Sequence, residues 1–294
     1  MTARTLFATA FLGTLLAILA AVLFSRDMTY VPEVAASDAA GKVRPPAAPA
    51  TAWPDYSASG LGFQTPDQPD GELIAQGYRQ VSRTFAEIGP EVPDPSKRFA
   101  GNNLSCQNCH IDGGTNRHAL PLVGVFNIYP RFLARAGRAV SLPERVNQCM
   151  TRSMNGRPLP DDSREMAAFL AYMKFIGAPE AVHAEPAPPP PLPHSVERGS
   201  IVYAEVCALC HKPDGLGVRV GSKGDADGYT FPPLWGSDSF NDSAGMDRFD
   251  RAVSFIQTNM PRGIDPAHPQ LSLQQAWDVV AYLKEQPRPR GPAR

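Results

Sequence analysis

Cys106-Gln107-Asn108-Cys109-His110 and Cys207-Ala208-Leu209-Cys210-His211 are the two strings on which the reading of the chain turns. Each sets two thiols three residues apart and an imidazole on the next residue. On one helical turn, two such sulfurs reach the two vinyl groups of a porphyrin while the histidine points at its iron. A single C-x-x-C-H also fits a redox dithiol or half of a zinc site. Two of them, at matching places of a duplicated chain, point instead to two covalently bound haem c groups. The fifth cysteine, Cys149, stands apart from both strings, so the cysteines do not read as a disulfide framework.

The duplication extends outward from the motifs. A glycine-bearing helix precedes each one (Gly77, Gly199) and an aromatic helix closes each half, with Ala171-Tyr172-Met173-Lys174 matching Ala281-Tyr282-Leu283-Lys284. Met166, Phe169, Leu170 and Met173 follow the 3 and 4 spacing of one helical face, and that helix stops at Gly177 before Pro179. Leu273, Ala276, Trp277 and Val280 do the same in the second half, behind a capping box formed by Ser272 and Gln275. These stripes are core packing around a porphyrin. The fold class expected is mainly α, two tandem cytochrome c-like haem domains joined by a Pro-rich linker.

The 294 residues include 31 prolines, which mark the boundaries. Residues 1–26 read as a signal peptide or an uncleaved membrane anchor: Leu6 to Phe24 is almost wholly apolar, flanked by Arg4 and Arg26, and approaches the roughly 20 residues that span a bilayer. Haem attachment through this motif is completed outside the cytoplasmic membrane, so the expected location is periplasmic, with tethering by residues 6–24 as one alternative. Residues 27–70, rich in Ala, Pro and Ser, read as a flexible tether. Residues 71–180 form the first haem domain, 181–195 a linker centred on the proline run 186–193, and 196–287 the second haem domain. The proline run predicts stiff, extended polyproline.

Each iron needs a sixth ligand from farther along its domain. In the second, a helix with Phe249, Ala252, Val253 and Ile256 on one face leads to Asn259-Met260-Pro261, making Met260 the candidate, with Met246 and His268 as alternatives. In the first, Cys149, Met150 and Met154 all stand near the expected depth. His118 lies only eight residues past His110, too close to cross the porphyrin. Charge separates the halves further. From Ile111 to Pro160 there are seven arginines (Arg117, Arg131, Arg135, Arg138, Arg145, Arg152, Arg157), no lysine and two acids, a balance of +5; from His211 to Met260 the balance is −2. Net charge over the whole chain is −1, so nothing suggests nucleic acid. Arginine forks suit oxyanions, and the first half reads as built for one beyond the haem propionates.

Asn103-Leu104-Ser105, Leu120-Pro121-Leu122-Val123-Gly124-Val125, Tyr129-Pro130, the string ERVNQCMTRSMNGRPLP from Glu144 to Pro160, and TNMPRG from Thr258 to Gly263 together resemble the dihaem thiosulfate dehydrogenases called TsdA. The resemblance runs from Gly71 to Gln286, about three-quarters of the chain. It implies an enzyme joining two thiosulfates into tetrathionate at a first haem ligated by His110 and Cys149. Electrons would pass to a second haem ligated by His211 and Met260, and on to an external acceptor such as a small cytochrome c or a high-potential iron–sulfur protein. Family active-site residues fall on Arg135, Arg145 and Ser153, beside Cys149. Covalent attachment falls on Cys106, Cys109 and His110, and on Cys207, Cys210 and His211. Some relatives carry lysine before the second-haem methionine and exchange ligands; Asn259 stands here, so no exchange is expected. The readings from other classes are a dihaem electron carrier with no substrate, the same site run as a tetrathionate reductase, and a cytochrome that attaches thiosulfate to a carrier protein.

Overall fold

The computed structural model describes residues 67–134, 136–177 and 188–292. The leader or anchor at residues 6–24, nearly all of the tether, much of the linker, and Arg135 lie outside the described residues. Among the described residues no helix is long and apolar enough to cross a membrane.

The first half is built from α1 (Gly71–Ser82), α2 (Thr84–Glu87), α3 (Leu142–Arg152) and α4 (Arg164–Phe175). The second has α5 (Val196–Val202), α6 (Ala208–His211), α7 (Phe249–Asn259) and α8 (Leu273–Lys284). A π-helical turn, Tyr203–Cys207, joins α5 to α6. Helix starts follow the local chemistry. Ser163 Oγ accepts from Met166 N–H at 3.1 Å, Ser141 Oγ from Glu144 N–H at 3.2 Å, and the Ser272/Gln275 box closes in both directions.

Two small antiparallel ribbons, which the helical reading of the chain did not include, lie in the loops. β1 (Arg131–Leu133) pairs with β2 (Arg138–Val140), and β3 (Val218–Arg219) with β4 (Tyr229–Phe231). Strands this short carry no alternation long enough to be read from sequence. The described end of the linker, residues 188–195, has no helix or strand. It is nonetheless fixed to the second half: Leu192 packs beside Trp277, the Pro193 carbonyl accepts from Gln274 Nε2 at 2.7 Å, and the His194 ring stacks on Trp277.

The same helix crossing organises both halves. α1 lies across α4 and α5 across α8, each with a glycine at the closest approach. A Cβ built on Gly77 would stand 2.0 Å from the Ala168 carbonyl oxygen, and one on Gly199 would stand 1.9 Å from that of Asp278. The matching tyrosines, Tyr172 and Tyr282, border these points. Behind the first crossing, Met166, Phe169, Tyr172 and Met173 are buried in one core with Val81, Val146 and Met150. Each such large side chain contributes about 1.5–3 kcal/mol when removed from water. The second crossing is also locked by the buried Asp278 carboxylate, which takes Arg198 Nε and Nη2 at 2.8 Å each and Ser195 N–H at 2.8 Å.

Gly77→Ala and Gly199→Ala should each lower the stability of the holoprotein by roughly 1–3 kcal/mol, because the intruding methyl meets backbone that cannot rotate away. Thermal melts read this directly. An unchanged melting temperature in either variant would mean that the helices can separate at the crossing without loss.

Candidate active site

The two C-x-x-C-H strings occupy different local structures. Cys106–Asn108 is a 3-10 turn whose start is fixed by Ser105 N–H donating to Asn108 Oδ1 at 2.7 Å. Cys106 N–H donates to Thr84 Oγ1 at 3.0 Å, and Gln107 Nε2 donates to the Ser82 carbonyl at 2.8 Å. The spacer of the first motif is therefore tied to the end of α1. In the second motif Cys207 ends the π-helical turn, Cys210 lies in α6, and Leu209 between them is 87% exposed.

Both histidines are held alike. His110 Nδ1 is hydrogen-bonded to the Leu120 carbonyl, and His211 Nδ1 to the Pro232 carbonyl at 2.8 Å. A carbonyl can only accept, so Nδ1 carries the proton and the Nε2 lone pair is left for a metal. All four motif thiols are half-buried and free of disulfides. Burial pushes the Cys106 thiol up to about 11 and the Cys109 thiol up to about 12. Each histidine with its two thiols is the donor set that a c-type haem requires, so the residues fit that cofactor.

Cys149 is treated differently by its surroundings. It lies on α3 with Arg145 one turn before it, and Ser153 caps the helix one turn after it. Arg145 Nη1 donates to Cys149 Sγ at 3.1 Å, and the His110 imidazole is near enough to act on the same thiol. Burial alone would push this thiol up, but the Arg145 guanidinium and the His110 ring together bring it down to about 6. A thiolate, the form that ligates metals, is thereby the charge state that the pocket favours. Its charge in turn is the main influence raising the already high pKa of Arg145. The alternatives on the same helix end are engaged elsewhere: Met150 and Met154 are 1% and 3% exposed and sit in the apolar core with Phe169 and Met166.

The arginine excess separates into distinct uses. Arg138 is paired with Glu144 on the surface. Arg157 donates to the carbonyls of Ser96 and Arg98 at 2.7 and 3.1 Å and stacks over Phe99, which is structural work. Arg145 is the one that the structure brings onto Cys149. Arg135 lies outside the described residues. Sequence reasoning did not single out Tyr129, whose phenol lies close enough to Arg145 and Cys149 to feel both charges. The signal was present in the Tyr129-Pro130 string immediately before the arginine-rich ribbon.

In the second half, Met260 follows the last residue of α7. It packs with Phe255 and Met246 against Ile111, Ala119 and Leu120, the segment that leaves the first motif. His268 points instead to solvent, 80% exposed and bonded to Asp265 at 2.7 Å. Asn259 Nδ2 donates to the His118 carbonyl at 3.0 Å and to the Phe255 carbonyl at 3.1 Å. His118 thus contributes a backbone acceptor at the contact between the halves.

Comparison with known proteins bears on the fold and the cofactors. The family model described as SoxA/TsdA, cytochrome c domain, matches residues 96–178, and that described as cytochrome c matches residues 196–287. The thiosulfate dehydrogenase of Allochromatium vinosum is 40% identical over 235 residues, 76% of this chain and 81% of that protein. That of Stutzerimonas stutzeri is 36% identical over 237 residues, 78% of this chain and 74% of the relative. A solved thiosulfate dehydrogenase (TsdBA) from Marichromatium purpuratum, in its as-isolated form, superimposes with a TM-score of 0.67 at 31% identity. The match covers 82% of this chain and 50% of that longer one. With two tandem cytochrome c domains, two c-type haems and this likeness along most of its length, the chain belongs to the thiosulfate dehydrogenase family.

Proposed function

We propose that the chain is a thiosulfate dehydrogenase that joins two thiosulfates into tetrathionate beside the first haem and releases the electrons through the second. The observation that carries this reading is the contact of Arg145 with Cys149 within reach of His110. A pure electron carrier needs neither a buried guanidinium nor a thiol at that place. His110 and Cys149 hold the first iron, and His211 and Met260 the second. Each haem takes up one electron, so the pair matches the two electrons released per tetrathionate.

The difficulty of the reaction is electrostatic. Two unit charges about 4 Å apart near a protein surface repel by about 4 kcal/mol, and two dianions by four times as much. Fixed positive charge must already be in place. Arg145 supplies it, with Arg135 and the Ser153 hydroxyl as further partners for the sulfonate oxygens. Cys149 divides the problem. Its thiolate and the outer sulfur of one thiosulfate form an S–S bond, giving up two electrons. The adduct carries one negative charge, not two. The second thiosulfate attacks the sulfur next to Cys149, tetrathionate leaves, and the thiolate is restored. Repulsion at the joining step is halved relative to a direct encounter.

The apolar stretch of residues 6–24 and the attachment chemistry support a periplasmic site of action, by export or by tethering to the membrane. The spacer of the first motif is bonded to α1, whereas Leu209 of the second is exposed, which supports electron exit at the second motif to a small soluble acceptor such as a cytochrome c or a high-potential iron–sulfur protein.

Three outcomes follow. With haem-loaded protein, thiosulfate and ferricyanide, wild type should bleach the acceptor and form tetrathionate, and Cys149→Ala should lose at least about 100-fold in kcat, a nucleophile-scale loss. Retention of full turnover in that variant would remove Cys149 from the chemistry. Tyr129→Phe should raise the thiosulfate KM several-fold with both haems in place, since a donor beside Arg145 is lost; an unchanged KM would leave Tyr129 without a part in binding. Leu209→Ser should raise the KM for a protein acceptor about threefold or more while turnover with ferricyanide stays constant. Equal effects on both acceptors would place electron exit elsewhere.

A further inference from the structure

The second half reaches across to the first haem site through residues 238–241. Asp238 accepts from Asn103 N–H at 3.0 Å, three residues before Cys106, and is anchored on its own side by Tyr229 Oη at 2.6 Å. The Ser239 carbonyl accepts from Asn102 Nδ2 at 3.3 Å and from Asn155 Nδ2 at 2.6 Å. Asn241 N–H donates to the Arg152 carbonyl at 3.2 Å, and Asn241 Nδ2 to the Thr151 carbonyl at 3.1 Å. Thr151 and Arg152 are the last two residues of α3. Asn102 Nδ2 also donates to the Ser153 carbonyl at 2.9 Å, so one carboxamide links the helix end, the approach to the first motif and the second half. Asn102, Ser239 and Asn241 are all at most 2% exposed.

The last carbonyls of a helix have no partners within it and must be satisfied from outside. In α3 the Cys149 and Met150 carbonyls are met by the first half's own backbone, and those of Thr151 and Arg152 by the other half of the molecule. We propose that residues 238–241 are a strap that sets the position of α3, and with it Arg145 and Cys149, so that the first haem site is complete only while the second half is docked. Asp238 and Asn241 are positioning residues: they act on the reaction through α3 and do not touch substrate. A shift of about 1 Å in such a site can lower a rate by about 100-fold.

This rests on the function proposed above for Cys149, and the test separates the two. Asn241→Asp keeps the oxygen that accepts Ser243 N–H at 3.0 Å but removes the donor to Thr151. Asn155→Ala removes a bond to Ser239 from the opposite side and from a half-buried position, so it serves where the first variant fails to load haem. Both are prepared as full-length holoprotein beside wild type. The measurements are the electron paramagnetic resonance signature of each haem and kcat and KM for thiosulfate with ferricyanide. The strap predicts at least a fivefold fall in kcat and a changed first-haem signature, with the second-haem signature unmoved. Variants with two haems, a wild-type first-haem signature and wild-type kcat would overturn it. Wild type without turnover would refute the proposed activity instead, and the strap would then stand or fall on the first-haem signature alone.

Discussion

A carbonyl oxygen on the Nδ1 of each haem-motif histidine is the constraint around which both halves are arranged. It fixes the tautomer and the ring plane, so the remaining lone pair has one direction to face. The carbonyls come from Leu120 and Pro232, ten and twenty-one residues beyond the histidines, which obliges each intervening loop to fold back over its motif. The glycine crossings then become intelligible. α1 and α5 carry the chain into the motif, α4 and α8 close the far side, and both pairs must approach closely to hold the loop in between.

On that common scaffold the halves diverge by the surroundings of the candidate sulfur that each supplies. In the first it is a thiol whose charge is stabilised by a guanidinium, and the guanidinium is steadied by a phenol. Without Arg145 the Cys149 thiol would be pushed up, because burial disfavours the ion. In the second, the surroundings of Met260 are apolar: Phe255, Ile111 and Ala119 offer no charge and no donor. A neutral thioether needs neither. The distribution of arginine along the chain is the sequence-level trace of this difference, and it exceeds what the site uses because Arg138 and Arg157 serve the fold.

What could be read from sequence was what local spacing encodes. The C-x-x-C-H strings, the Ser272/Gln275 box, the matched tyrosines and the Arg145, Cys149, Ser153 series at intervals of four all lie within one or a few helical turns. The choice between Cys149 and its neighbouring methionines was not local, since it depends on which face of α3 meets the core, and burial places Met150 and Met154 there. Tyr129 and Arg145 are sixteen residues apart and separated by a ribbon, so no periodicity joins them. The strap is still less legible: it unites residues 84 to 137 apart in sequence through single carboxamides.

The composition of that contact carries its own logic. Its buried donors are largely asparagine carboxamides, not charged groups, and desolvating a carboxamide costs far less than desolvating an ion. A carboxamide bond is also directional, so several of them on successive carbonyls define one orientation where an apolar patch would tolerate sliding. Asp238 is the exception, and it is surrounded by donors: Asn103 N–H, Tyr229 Oη and, at 3.6 Å, Arg219 Nη1. A polar joint of this kind contributes modest net stability per bond, about 0.5–1.5 kcal/mol. Its value to the molecule lies in register. Two one-electron centres in one molecule gain from a fixed relative placement, and this joint is attached to the end of the helix that carries Cys149.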